Sequence, residues 1–141
     1  MKRKASAVWE GGLKDGRGTI STDSRVVVGA AYGFAARFEN APGTNPEELI
    51  AAAHAGCYSM ALAGELGKCG LTADRIYTTA TVSMEENGDG FAIAEVHLDV
   101  TAKVPGAHAD AFLAAATAAK DGCPVSKVLR ATITMDAKLV P

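Results

Sequence analysis

The stretch from residue 44 to residue 68, TNPEELIAAAHAGCYSMALAGELGK, constrains the fold of this chain more than any other. Pro42-Gly43-Thr44-Asn45-Pro46 interrupts what precedes it and opens a helix. Thr44 or Asn45 can cap that helix, Pro46 suits its first turn, and Glu47 and Glu48 lie at the positive end of its dipole. Gly67 and Gly70 are stop signals. Ala51, Ala52, Ala53, Ala55, Gly56, Ala61, Ala63 and Gly64 leave few bulky or charged groups on any face. A helix apolar nearly all round is a buried one. It is therefore expected at the centre of the molecule or against a partner.

The segments around it read as strands. Residues 5–10 and 17–22 flank a Gly-rich turn and predict a hairpin. Residues 25–38, rich in valine and aromatics, predict one or two further strand pieces. Ile76, Thr78, Ala80, Val82 and Met84 alternate with polar neighbours, and Asn87-Gly88-Asp89-Gly90 supplies a turn. Residues 91–104 return as a long strand with Ala94, Val96, Leu98, Val100, Ala102 and Val104 inward. Pro105-Gly106 ends it. An alanine-rich helix over 107–120 follows, with Phe112, Leu113 and Ala116 on its inner side. A short helix covers 125–130, and Ile133, Met135, Ala137 and Leu139 mark a closing strand. The expected fold is a single α+β domain over residues 1–141, with antiparallel sheet around a long buried helix.

Composition narrows the function. The formal net charge is −2, and charged residues, 21% of the chain, are scattered with both signs. No basic run points to nucleic acid and no apolar stretch is long enough for a bilayer span. Met1-Lys2-Arg3-Lys4 is basic, but a polar strand-like segment follows it rather than the apolar core of a secretory signal. The cytoplasm is the expected location.

The chain holds three cysteines, Cys57, Cys69 and Cys123. An odd number in a chain of this size argues against a secreted disulfide framework. Cys57 lies in the middle of the long helix. Cys123 lies on a break between two helical segments, where Pro124 suits the first position of the next helix. Cys123 is thus placed to cap that helix beside unpaired N–H groups, a position that favours a thiolate and leaves the sulfur reachable. Cys57 has no helix end beside it, so a cation must lower its pKa for it to react. Arg17, Arg25 and Arg37 are the candidates, and spacing alone does not choose among them.

Residues 44–62 resemble the signature helix of the OsmC/Ohr family of thiol peroxidases, and Gly122-Cys123-Pro124-Val125-Ser126-Lys127-Val128-Leu129 resembles that family's second cysteine motif. Trp9-Glu10-Gly11, Gly18-Thr19-Ile20-Ser21-Thr22, and Tyr32-Gly33-Phe34 through Arg37-Phe38 resemble the N-terminal part of the OsmC branch rather than the Ohr branch. The resemblance implies an intertwined homodimer with active sites at the subunit interface and no cofactor; the composition read above adds no nucleic acid and no membrane partner. It implies that Cys57 attacks the hydroperoxide and Cys123 resolves the product. It further implies that Arg37 organises the site and that Glu47 holds Arg37. An external dithiol of lipoyl type is the implied reductant.

Other residues have simpler readings. Glu47 and Glu48 suit the helix dipole regardless of any site. Cys69 is structural or exposed. His54, Cys57 and Cys123 lack the paired spacing of a zinc site, and a polar contact is the expected fate of His54. His97 and His108 are expected in solvent. Tyr32, Phe34, Phe38, Tyr58 and Met60 are candidates to line an alkyl pocket, with plain core packing as the alternative. A second functional reading, a non-enzymatic stress-associated or apolar-ligand-binding protein with inert thiols, differs in surviving a Cys57→Ser substitution.

Overall fold

The computed structural model describes residues 1–141. Its elements run β1 (Ala5–Glu10), β2 (Arg17–Thr22), β3 (Ala30–Tyr32), α1 (Phe34–Phe38), α2 (Pro46–Lys68), β4 (Arg75–Glu86), β5 (Phe91–Lys103), α3 (Ala109–Gly122), α4 (Pro124–Val128) and β6 (Thr132–Val140). The class is α+β, with two three-stranded sheets and one long helix. The chain forms two compact units, Met1–Leu49 and Ile50–Pro141. No helix is long and apolar enough to cross a membrane.

In the first unit β2 pairs antiparallel with β1 on one side and β3 on the other. Every residue of β1 is exposed, and Gly18 is the one buried residue of this sheet. Trp9 and Tyr32 pack with their ring centroids 5.5 Å apart. A Cβ at Gly18 would collide with both rings, so glycine is what lets this aromatic pair form over the sheet. Of residues 25–38 only three pair as a strand, and 34–38 form a helical turn instead. The left-handed Gly29 (φ 61°) limits the strand on its N-terminal side. Beyond it, Phe34 and Phe38 pack at i, i+4 with centroids 4.7 Å apart, neighbours that a helical turn brings together. Arg37 and Phe38 are therefore helical residues.

The helix α2 has the bounds its sequence predicts. Asn45 caps it, its Oδ1 accepting the Glu48 amide at 2.8 Å. The left-handed Gly70 (φ 71°) follows its C-terminus. Its burial within the chain is partial. One stripe, His54, Tyr58, Leu62 and Leu66, is buried, while Ala52, Ala53, Gly56, Ala63 and Gly64 are exposed and Met60 is 79% exposed. Small side chains permit burial of a face without compelling it, and in the single chain nothing covers this one.

The second unit builds its core from Tyr58, Leu62 and Leu66 of that stripe, from Val96, Leu98, Val100 and Ala102 of β5, and from Phe112, Ala115, Ala116 and Ala119 of α3. Leu113, expected inward, is 53% exposed, because the inner face of α3 runs through 112, 115, 116 and 119. The β4–β5 hairpin is antiparallel, but register slips between Ser83 and Met84: Ser83 faces Glu95 and Met84 faces Ile93. Ala94 is the extra residue of this bulge, so Ile93 rather than Ala94 continues the core face. The sheet is also not wholly antiparallel, since β6 pairs parallel with β5. The α3–α4 crossover carries the chain back along the sheet before β6 begins, and such a return gives parallel neighbours.

Candidate active site

Two constellations of functional side chains stand out, one in each unit. In the second, α2 presents Cys57 and the α3–α4 junction presents Cys123. The junction exists because the Cys123 amide closes α3 on the Ala119 carbonyl at 2.9 Å while Pro124 opens α4. The two sulfurs lie 3.1 Å apart, both reduced. Cys57 is partly exposed. Cys123 is fully buried, so its sulfur is reachable from Cys57 and not from bulk solvent, contrary to the expectation from its place at a helix break. Cys69 is exposed beyond the end of α2.

The two thiols have opposite electrostatic surroundings. Burial pushes the Cys57 thiol up, and the hydrogen bond with Cys123 adds to this more than the Val125 amide offsets. Burial acts upward on Cys123 too, but there it is outweighed. The Ser126 amide, the Cys57 thiol, the Val125 amide and the Ser126 hydroxyl all favour the anion, and the net direction is down. Val125 and Ser126 are the second and third residues of α4, whose amides have no partner within the helix. Tyr58 closes the rear of the pair. Its buried hydroxyl is directed at the Ala116 carbonyl (3.3 Å), with Met135 Sδ at 3.1 Å. Burial and the neighbouring Cys123 sulfur hold it well above the usual phenol range.

His54, one turn before Cys57, is fully buried, and its Nε2 lies 2.7 Å from Ser126 Oγ. It makes the polar contact its sequence context suggests. Ser126 drew no attention from sequence. The available signal was its place as third residue after Cys123, in the first turn of α4.

In the first unit, Arg37 of α1 and Glu47 of the first turn of α2 form a bidentate pair. Arg37 Nε donates to Glu47 Oε2 at 3.0 Å and to Oε1 at 3.2 Å, and Nη2 donates to Oε1 at 2.5 Å. The guanidinium also lies over the Phe38 ring, 5.2 Å from its centroid. Of the other candidate cations, Arg17 pairs with Glu10 at the exposed surface and Arg25 occupies an exposed turn. A cavity of about 300 Å³ opens beside Arg37, lined by Trp9, Leu13, Tyr32, Phe34, Phe38 and Pro46 among others. Tyr32, Phe34 and Phe38 thus line a pocket as expected. Tyr58 is a core residue and Met60 is exposed, so neither contributes to it.

His97 is not simply solvated. Its Nδ1 lies 2.6 Å from Thr134 Oγ1, and its Nε2 is 3.6 Å from Asp99 and 3.3 Å from Asp136 on the outer sheet face. His108 is exposed at the start of α3.

Comparison with known proteins accords with this arrangement. The family described as OsmC-like protein matches residues 38–138. Peroxiredoxin OsmC of Escherichia coli (strain K12) is 51% identical over 139 residues, covering 99% of this chain and 97% of the relative. Among solved structures, the organic hydroperoxide resistance protein OhrB of Bacillus subtilis superposes with a TM-score of 0.71 at 24% identity, covering 96% of this chain and 98% of that one. An OsmC-like protein from Mycoplasma pneumoniae gives 0.78 at 19% identity, covering 100% and 99%. At such identities these two likenesses speak for the fold.

Proposed function

The chain belongs to the OsmC-like protein family, and from that premise we propose that it is a thiol-dependent peroxidase that reduces organic hydroperoxides to alcohols. The observation that carries this reading is the pair of reduced sulfurs 3.1 Å apart, one partly exposed and one buried. Cys57 is the sulfur a hydroperoxide can reach. Its thiolate attacks one peroxide oxygen, the O–O bond breaks, and an alkoxide departs to be protonated to the alcohol. Cys57 is left as a sulfenic acid. Cys123 condenses with it, forming the S–S bond and expelling the sulfenic oxygen as hydroxide before further oxidation can proceed. The sulfurs need approach by only about 1 Å to reach disulfide length.

Burial and Cys123 hold the Cys57 thiol up, so its attack requires a cation. Arg37 is assigned that task. Its charge favours the thiolate and its donors can orient the peroxide oxygens, while Glu47 fixes the fork. The aromatic cavity beside Arg37 suits an alkyl group, which supports a preference for organic hydroperoxides over hydrogen peroxide.

The reading includes a homodimer with shared sites, working as one functional domain per chain. Glu47 and Cys57 are ten residues apart on one continuous helix, about 15 Å of rise. Two such helices lying antiparallel would bring Glu47 of one beside Cys57 of the other. The exposed small-residue face of α2 is suited to close helix contact around a two-fold axis. The exposed β1–β3 sheet, with one buried residue, also needs a cover to be stable. No cofactor enters the cycle. An external dithiol of lipoyl type reduces the disulfide, and the cytoplasm, where such dithiols remain reduced, is the assigned location. The test is turnover of an alkyl hydroperoxide with a dithiol reductant. The chain should consume it and the Cys57→Ser variant should not; equal consumption by both would refute the reading.

A further inference from the structure

The cavity beside Arg37 has a wall whose position is set by a residue that does not line it. Trp9 of β1 and Tyr32 of β3 are the direct cross-strand neighbours of Gly18 on β2, and their rings meet over it. A Cβ on Gly18 would run into Tyr32 Cε1 and lie 2.8 Å from Trp9 Cε3. The indole is held from two further sides. Its N–H donates to the Gly11 carbonyl at 3.2 Å, and a Cβ on Gly16 would lie 2.8 Å from its Cζ2. Gly18 is buried beneath the two rings, and the same rings line the cavity, so they separate the strand from it. A methyl on Gly18 lifts them off the strand and into that space. With the indole anchored at Gly11, Tyr32 is the ring that gives way.

We propose that Gly18 is a specificity-determining residue: by leaving β2 bare it seats the Trp9–Tyr32 pair against the sheet, and that seat sets how large an organic group the cavity beside Arg37 admits. The inference rests on the peroxidase reading, in which Arg37 orients the peroxide oxygens. A hydroperoxide held there has its organic group among Trp9, Tyr32, Phe34 and Phe38, two tilted aromatic pairs. The class selected is a hydroperoxide carrying one aromatic ring, which gains edge and face contacts with those pairs. The cavity, about 300 Å³, lies at the lower end of ligand pockets, so a displaced wall is felt by a ring before it is felt by a small branched group. The backbone at Gly18 is not left-handed, so alanine fits it without strain and acts through the rings alone. Gly16 does not offer the same test, because a Cβ there would also lie 2.7 Å from the Glu10 carbonyl oxygen.

Two hydroperoxides of unlike bulk, cumene hydroperoxide and tert-butyl hydroperoxide, are compared by kcat/KM with a dithiol reductant. Gly18→Ala should lower the cumene to tert-butyl ratio about tenfold, the smaller of the effects that one misplaced methylene has in an apolar pocket. A general loss of stability or of active protein would lower both values together and leave the ratio alone. In a Tyr32→Ala background the same Gly18→Ala change should move the ratio by no more than about twofold, because the ring it displaces is gone. Trp9 is the single tryptophan of the chain, so its fluorescence reports entry of the product alcohols without turnover. The aryl alcohol 2-phenyl-2-propanol should bind Gly18→Ala about tenfold more weakly than the parent, with a smaller change for tert-butanol. Should Gly18→Ala not fold, Tyr32→Trp crowds the same wall with Gly18 intact and should lower the ratio in the same direction. An unchanged ratio in the folded variant, or an equal shift with Tyr32 replaced by alanine, would overturn the proposal. Failure of the parent to consume either hydroperoxide would refute the peroxidase reading instead, while alcohol binding would still decide the role of Gly18.

Discussion

Removing the Glu47 carboxylate tests what the Arg37–Glu47 pair does. In Glu47→Ala the guanidinium loses all three of its contacts to that side chain. The Glu47 side chain is 14% exposed and that of Arg37 36%, so the pair is partly screened and the lower part of the range for charged hydrogen bonds applies, about 1.5 to 2 kcal/mol. If that energy orients Arg37 only when peroxide and thiolate are engaged, kcat/KM for an alkyl hydroperoxide falls by about tenfold to thirtyfold. Glu47 also stabilises the first turn of α2, a contribution of about 0.3 to 1 kcal/mol that any acidic residue there makes. Glu48→Ala isolates that second effect, because Glu48 occupies the same turn and its carboxylate bonds Thr44 Oγ1 at 2.6 Å instead of a guanidinium. Glu47→Gln, which keeps one accepting oxygen, should fall between the wild type and Glu47→Ala. The assay is steady-state consumption of alkyl hydroperoxide, with unfolding midpoints as the check on fold. If Glu47→Ala lies within about twofold of Glu48→Ala in kcat/KM, the pair does not organise the site and the reasoning fails.

Three further outcomes are expected. Cys123→Ser should complete one turnover and then stall with Cys57 trapped as sulfenic acid, drifting to sulfinic acid, which mass spectrometry of the Cys57 peptide can follow; complete absence of the first turnover would contradict the division of roles. Glu47→Ala and Cys57→Ser chains, unfolded together and refolded as a mixture, should regain part of the activity through mixed dimers holding one site with both native groups, and mixed dimers seen by mass spectrometry without recovery would exclude a shared site. Burial holds the His54 ring neutral, with its folded pKa below 6.5. The unfolded chain therefore binds a proton below pH 6.5 that the folded chain refuses, and stability falls as pH drops through that range. Denaturant midpoints should show this decline, and His54→Gln should flatten it.

What could be read from the sequence depended on whether the determining interactions are local. The bounds of α2 were legible because Asn45, Pro46 and Gly70 act on their own turn of backbone. The alternation of Ile76 to Met84 was legible because a sheet with one buried face repeats every two residues. That same periodicity says nothing about strand direction, so the parallel β6 was missed, and it cannot reveal the bulge at Ala94, which depends on the partner strand. Residues 34–38 read as strand because aromatics favour sheets on average, whereas Phe34 and Phe38 here stack on each other. The small-residue surface of α2 allowed either a central place or a partner, since alanine and glycine are compatible with burial and with exposure alike; the chain by itself covers one stripe of it. The Arg37–Glu47 pair came from family resemblance, as spacing left Arg17 and Arg25 equally open. The contact between His54 and Ser126 was beyond reach, because two residues 72 apart in sequence meet only through the packing of α4 on α2.

The central claim is that Cys57 and Cys123 form one redox couple driven by an organic hydroperoxide, and anaerobic thiol counting during peroxide titration tests it most directly. The fully reduced chain has three thiols. One equivalent of alkyl hydroperoxide should remove two of them, release one equivalent of alcohol, and leave Cys69 free, with peptide mapping placing the disulfide between Cys57 and Cys123 within one chain. Hydrogen peroxide in a parallel titration should act more slowly. Loss of Cys69 in the product, or three thiols surviving a full equivalent of alkyl hydroperoxide, would contradict the account.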